Sequence, residues 1–199
     1  PRDNLLRTGC GLLVRALAYV CYTVYAVAPL WLSYGVGNSL LSRALAFYTA
    51  SLFRVREQVV PWRTIFVIPV CMLVGLMLLL HTVGPRMLLA TMVLMVQCAM
   101  ILYWARRHAE RPGRAHLLLQ IGALISLVGL GMRVVAVATG TAADMRYDTS
   151  NLQQSVSVAI GTVTVMLYSI GLVLLAKERT ESRLPPLALR YVLTGPLNR

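Results

Sequence analysis

Apolar residues in this chain gather in six long runs, each near the length of about 20 residues that carries a helix across a bilayer. The runs cover residues 5–28, 31–53, 62–80, 87–104, 116–139 and 152–177. What separates them is helix-ending chemistry. Pro29 closes the first run, Pro61 opens the third, Gly84-Pro85 precede the fourth, and Pro112-Gly113 precede the fifth. Proline lacks the N–H that would continue a helix, so each of these positions reads as a boundary. Only the fifth link, residues 140–151, is long enough for structure of its own. The pattern predicts an all-α membrane protein, a bundle of six transmembrane helices over residues 1–177, followed by a charged segment.

Composition agrees, with 58% hydrophobic and 13% charged residues, which does not suit a soluble surface. The net charge of +12 comes almost wholly from arginine, Lys177 being the single lysine. Such a charge fits either nucleic acid or a cytoplasmic membrane face, and position decides between them. Alternate links hold Arg2 and Arg7; Arg54, Arg56 and Arg63; Arg106, Arg107, Arg111 and Arg114; and Lys177, Arg179, Arg183, Arg190 and Arg199. Those fourteen face only Arg86 and Arg146 in the links between. Positive charge stays on the cytoplasmic side, so both ends of the chain are expected there, the bilayer is the partner, and nucleic acid drops out.

Three arginines lie at membrane depth, away from the run starts: Arg15, Arg43 and Arg133. Arg15 lies about 12 Å along the helix from Arg7, and Arg43 about 16 Å from Arg54, which puts both toward the cytoplasmic half. Arg133 lies near the outer end of its run. All seven acids, Asp3, Glu57, Glu110, Asp144, Asp148, Glu178 and Glu181, fall in links or tails. Two readings of the arginines stand open. They snorkel or bond backbone carbonyls, the simpler account for Arg133, or they hold an anionic ligand or a lipid headgroup. Asn38, Gln97 and Gln120 are expected to bond neighbouring helices. His81, His108 and His116 lie at run ends, which leaves no proton relay for a pump, and no channel filter stands out.

Small residues mark close helix packing. Gly35, Ser39, Ser42, Ala46 and Thr49 recur at spacings of four and three, as do Ser157, Gly161, Thr164, Tyr168 and Gly171. The second stripe continues in register through Leu175, Glu178 and Ser182, so a shift of that helix would be felt beyond the membrane. Trp31, Tyr34, Trp62, Tyr103 and Trp104 suit an interfacial belt. Cys10, Cys21, Cys71 and Cys98 sit in apolar stretches without zinc-site spacing and read as buried thiols.

Catalytic words are absent: there is no GxSxG, HExxH or GxxxxGK[ST], and no residue is a catalytic or metal-site candidate. The chain ends, however, on LTGPLNR. Leu193, Thr194, Gly195, Asn198 and Arg199 resemble the opening motif of the GGDEF domain of bacterial diguanylate cyclases, D-x-L-T-G-L-x-N-R. Tyr191 stands in place of its Asp and Pro196-Leu197 in place of Leu and a variable residue. The PLWLSYGVGNSLL stretch from Pro29, Arg133, and Glu178-Arg179 also look like the multi-pass N-terminal region of such proteins.

The resemblance implies a membrane sensor and dimerising platform at residues 1–177, a cytoplasmic linker helix at 178–190, and the start of a GGDEF-like domain at 191–199. It places the chain in the bacterial cytoplasmic (inner) membrane. Members often have seven spans, the first of which would lie before Pro1. It further implies that a catalytic domain beyond Arg199 condenses two GTP molecules to cyclic di-GMP with magnesium; this chain itself needs no cofactor. Pro185-Pro186 are expected to interrupt the linker helix. The alternative is a small multi-pass transporter or channel subunit whose tail matches by chance.

Overall fold

The structure is a computed structural model that describes residues 2–24, 27–107, 113–141 and 152–193, leaving aside the side chains of 2–5, 152–154 and 182–193. Among these residues there are six α-helices and no strand. They are α1 (Arg2–Thr23), α2 (Gly37–Val55), α3 (Trp62–Leu78), α4 (Val83–Arg107), α5 (Arg114–Ala138) and α6 (Leu152–Leu193). A π-helical turn, Trp31–Val36, leads into α2. Nothing in the hydrophobic pattern announces it, because the wider turn leaves side-chain polarity unchanged.

Helix α2 is the centre of the bundle. It packs against α1, α3, α4 and α6, while α5 bridges α4 to α6. Its small residues make this possible: Ser42, Ala46 and Thr49 are buried along with Ala44, Ala50 and Ser51, so neighbours approach on several sides. A methyl group added at Gly37 would lie 2.8 Å from the Tyr22 ring of α1. On α6, Thr164, Tyr168, Gly171 and Leu175 are buried, so this stripe is the face that α6 turns to the bundle. A methyl group on Gly171 would meet Leu119 of α5 at 2.9 Å. Gly171→Leu is therefore expected to pry α5 from α6 and lower stability by about 1–3 kcal/mol, seen as an earlier thermal unfolding in detergent. Gly9→Leu, where the added group meets nothing within 4 Å, is the control that leaves it unchanged.

The outer surface is apolar at helical spacing. Helix α1 turns Leu6, Leu13, Leu17 and Val20 outward; α3 turns Val67, Val70, Val74 and Leu78; α6 turns Val163, Met166, Ile170 and Val173. Among the described residues three helices are both long and apolar enough to cross a membrane: α4, α5, and residues Ser155–Glu181 of α6. The expected six spans are thus not all of one kind. Helix α3 is apolar but has only 17 residues, about 26 Å at 1.5 Å per residue. Helix α1 carries Arg2, Asp3, Arg7 and Arg15, and α2 carries Arg43 and Arg54 among small polar residues.

Two further expectations are corrected. Helix α6 runs through Pro185-Pro186 to Leu193 without a break. Each proline removes only its own N–H and crowds one carbonyl, and the bonds on either side carry the helix on, with the pair remaining its weakest point. Cys10 and Cys71 are exposed while Cys21 and Cys98 are buried, because an apolar run in a bundle has an outward face as well as an inward one.

Candidate functional site

The bundle has two distinct ends, and the arginines sort between them. At one end Arg7 of α1 stacks over Trp62 at the start of α3, 4.9 Å from the ring centroid. At the same end the carbonyls that close α2 and α4 meet cations. Arg56, only 9% exposed, donates to the carbonyls of Trp104 and Ala105. Arg179 of α6 donates to the carbonyl of Val55. The last four carbonyls of a helix have no partner within it and carry its negative partial charge, so both contacts are charge-assisted.

Glu178 completes the arrangement with the opposite sign. Helix α5 begins after Gly113, which has no side chain to cap it. The Glu178 carboxylate accepts the Ala115 N–H at 3.3 Å, a cap supplied by another helix. Gly113 leaves the room: a methyl group there would stand 2.6 Å from Glu178 Oε2. Two consecutive residues of α6 thus hold the ends of α2 and α5, and Arg56 ties α2 to α4. This clamp was not evident from sequence. Arg56 and Arg179 read as link charges, and Glu178 as a continuation of the α6 stripe; their partners lie far away in sequence.

At the other end Arg86, expected to be a link residue, is 6% exposed. Its guanidinium lies 3.7 Å from the centroid of the Tyr34 ring and donates to the Leu80 carbonyl. Tyr34 is correspondingly buried rather than part of an interfacial belt.

Toward this end opens a cavity of about 390 Å³ between α1, α2, α4, α5 and α6. Two of the three sequence candidates, Arg15 and Arg133, line it. Arg15 is 6% exposed. Its Nη2 donates to the Gly161 carbonyl at 2.8 Å and reaches the Tyr19 hydroxyl at 3.3 Å. The Nε atoms of Arg15 and Arg133 are buried with no hydrogen-bond partner among the described residues. Among those residues no acid lines the cavity. Asp144, Arg146 and Asp148, in the link between α5 and α6, lie outside the described residues.

Arg43 does not join this pair. It is exposed on α2, eleven positions from the exposed Arg54 and so on the same helix face. Within one run the sequence shows that an arginine is internal but not which way it points. Three residues of the α6 stripe, Ser157, Gly161 and Thr164, line the cavity, while Tyr168 and Gly171 pack below it. Thr164 also receives a hydrogen bond from Ser126 of α5 at 3.0 Å. Gln97 bonds a neighbouring helix as expected, donating to the Ser42 carbonyl at 3.1 Å. Asn38 instead donates to the Tyr34 carbonyl of its own π-helical turn at 2.8 Å, and Gln120 is half-buried on α5.

No group of three His, Cys, Asp or Glu side chains comes together among the described residues. Of the terminal motif only the backbone of Leu193 is described; Thr194, Gly195, Asn198 and Arg199 lie outside. Comparison with family models, with curated proteins and with solved structures finds no match.

Proposed function

We propose that this chain is the membrane-embedded sensory and dimerising region of a diguanylate cyclase-like signalling protein. It regulates the synthesis of cyclic di-GMP from GTP by a catalytic domain that follows it. The carrying observation is α6, one helix from Leu152 to Leu193 that lines the cavity and also makes the clamp. Gly161 and Glu178 are 17 positions apart on it, about 26 Å. From Glu181 the helix continues toward the terminal motif, about 18 Å to Leu193.

All six helices span the bilayer in this proposal. The apolar outward faces of α1 and α3 support that, with most of α2 shielded at the centre and its two exposed arginines, Arg43 and Arg54, sharing one face. The clamped end faces the cytoplasm of a bacterial inner membrane, in accord with the positive charge gathered there. The partners are the bilayer, a second copy of the chain, and a small ligand in the cavity. GTP and magnesium belong to the catalytic domain.

The test joins residues 1–199 to an active cyclase domain and measures cyclic di-GMP in cells lacking other cyclases. Output several-fold different from that of the same domain on an unrelated dimeric membrane anchor is expected. Equal output from both overturns the proposal. The cavity also favours a second function, in which the chain is a small transporter or channel subunit. Ligand-dependent flux into proteoliposomes, together with indifferent cyclase output, is the result that selects it.

A further inference from the structure

We infer that the cavity between Arg15 and Arg133 binds an amphipathic anion, with a carboxylate-like head at the arginines and a single medium-length apolar tail. The site is built around a buried cation with no acid beside it among the described residues. Arginine stays charged in any protein environment, and Arg15 is buried with two hydrogen-bond partners among the described residues for its five donors. Its Nε, like that of Arg133, is left without one among the described residues. A carboxylate supplies the missing charge and accepts several N–H groups at once, in the planar geometry a guanidinium matches.

The rest of the wall favours an anion with an apolar tail. Leu41, Leu45, Leu94 and Leu130 make one side of it apolar, and the hydroxyl side chains Tyr19, Tyr22, Thr23 and Ser157 stand on α1 and α6, the helices that carry Arg15 and its Gly161 contact. The hydroxyls of Ser126 and Thr164 are already bonded to each other. The cavity, about 390 Å³ and open on one side, has room for one apolar chain and leaves its exact length open. Decanoate, a single-chain carboxylate of medium length, is a suitable probe. The same head chemistry arises from a free fatty acid or from an anionic lipid inserting one chain.

This inference deepens the proposed input site, and its test is independent of any output domain. The whole chain is placed in phosphatidylcholine nanodiscs and radiolabelled decanoate is titrated, with decanol as the neutral competitor. Saturable binding is expected, with decanol at least tenfold weaker. Arg133→Gln is the main variant, because Arg133 is half-buried and its loss spares the Arg15 contact to α6. It is expected to weaken decanoate at least tenfold, and Arg133→Lys to recover most of that. Displacement by phosphatidylglycerol in the disc assigns the site to a lipid, and persistence of decanoate assigns it to a free acid. Equal affinity for decanol and decanoate, or an Arg133→Gln variant that folds and binds as before, overturns the inference. A failure here with cyclase output still responsive to α6 removes the ligand and leaves the signalling proposal standing.

Discussion

Replacing Arg179 by glutamine is expected to loosen the lower end of α6 more than any other single change. Arg179 is the residue through which α6 bonds the Val55 carbonyl at the end of α2. A hydrogen bond to a charged group contributes about 1.5–3 kcal/mol, and each 1.4 kcal/mol is tenfold in an equilibrium. Opening of this segment should therefore become roughly 10- to 100-fold more frequent. Hydrogen exchange measures it directly: amides of residues 176–181 should exchange faster while those of α4 keep their protection. Glu178→Ala should do the same at the start of α5, exposing the Ala115 amide. Uniform protection in the Arg179 variant would mean that packing along Tyr168, Leu172 and Leu175 holds α6 without the clamp.

Arg15→Met is the second large effect, and its sign is informative. A buried cation with no acid among the described neighbours costs desolvation that its contacts to Gly161 and Tyr19 repay only in part. Methionine fills similar space with a flexible apolar chain. The variant is expected to unfold later than the parent, by about 1–3 kcal/mol on the scale of buried charges replaced by apolar side chains, while losing anion binding. That pairing of gained stability with lost binding is the mark of a residue kept for function. A loss of about 3–5 kcal/mol instead is what breaking a buried ion pair does, and it would contradict an Arg15 without a counter-charge.

Much of the bundle was legible in the chain, because apolar length and helix-breaking residues report locally. The expected start of the third run at residue 62 and of the sixth at 152 coincide with the starts of α3 and α6. The small-residue stripes each keep to one side of their helix for the same reason, spacing: Ser42, Ala46 and Thr49 on α2 and Tyr168 and Gly171 on α6 are packed, while Ser157, Gly161 and Thr164 line the cavity. Direction in space is what the sequence withholds. Arg15 and Arg43 looked alike as internal charges, yet one points into the cavity and the other outward. Arg56 and Arg86 read as link charges, and both are buried because a neighbouring helix end or aromatic ring, far away in sequence, receives them. Likewise Gly113 gave no hint that its missing side chain makes way for Glu178.

The most direct test of the account is to rotate the end of α6 without touching the cavity or the clamp. Inserting one to seven alanines after Glu181, in the chain joined to an active cyclase domain, turns whatever follows by about 100° per residue. If α6 transmits as a rigid helix, cyclic di-GMP output should rise and fall with insert length. Three, four and seven added residues should come near the parent, and two and five should lie far from it. Output that is the same for every insert, or that declines steadily with length, would contradict transmission through α6.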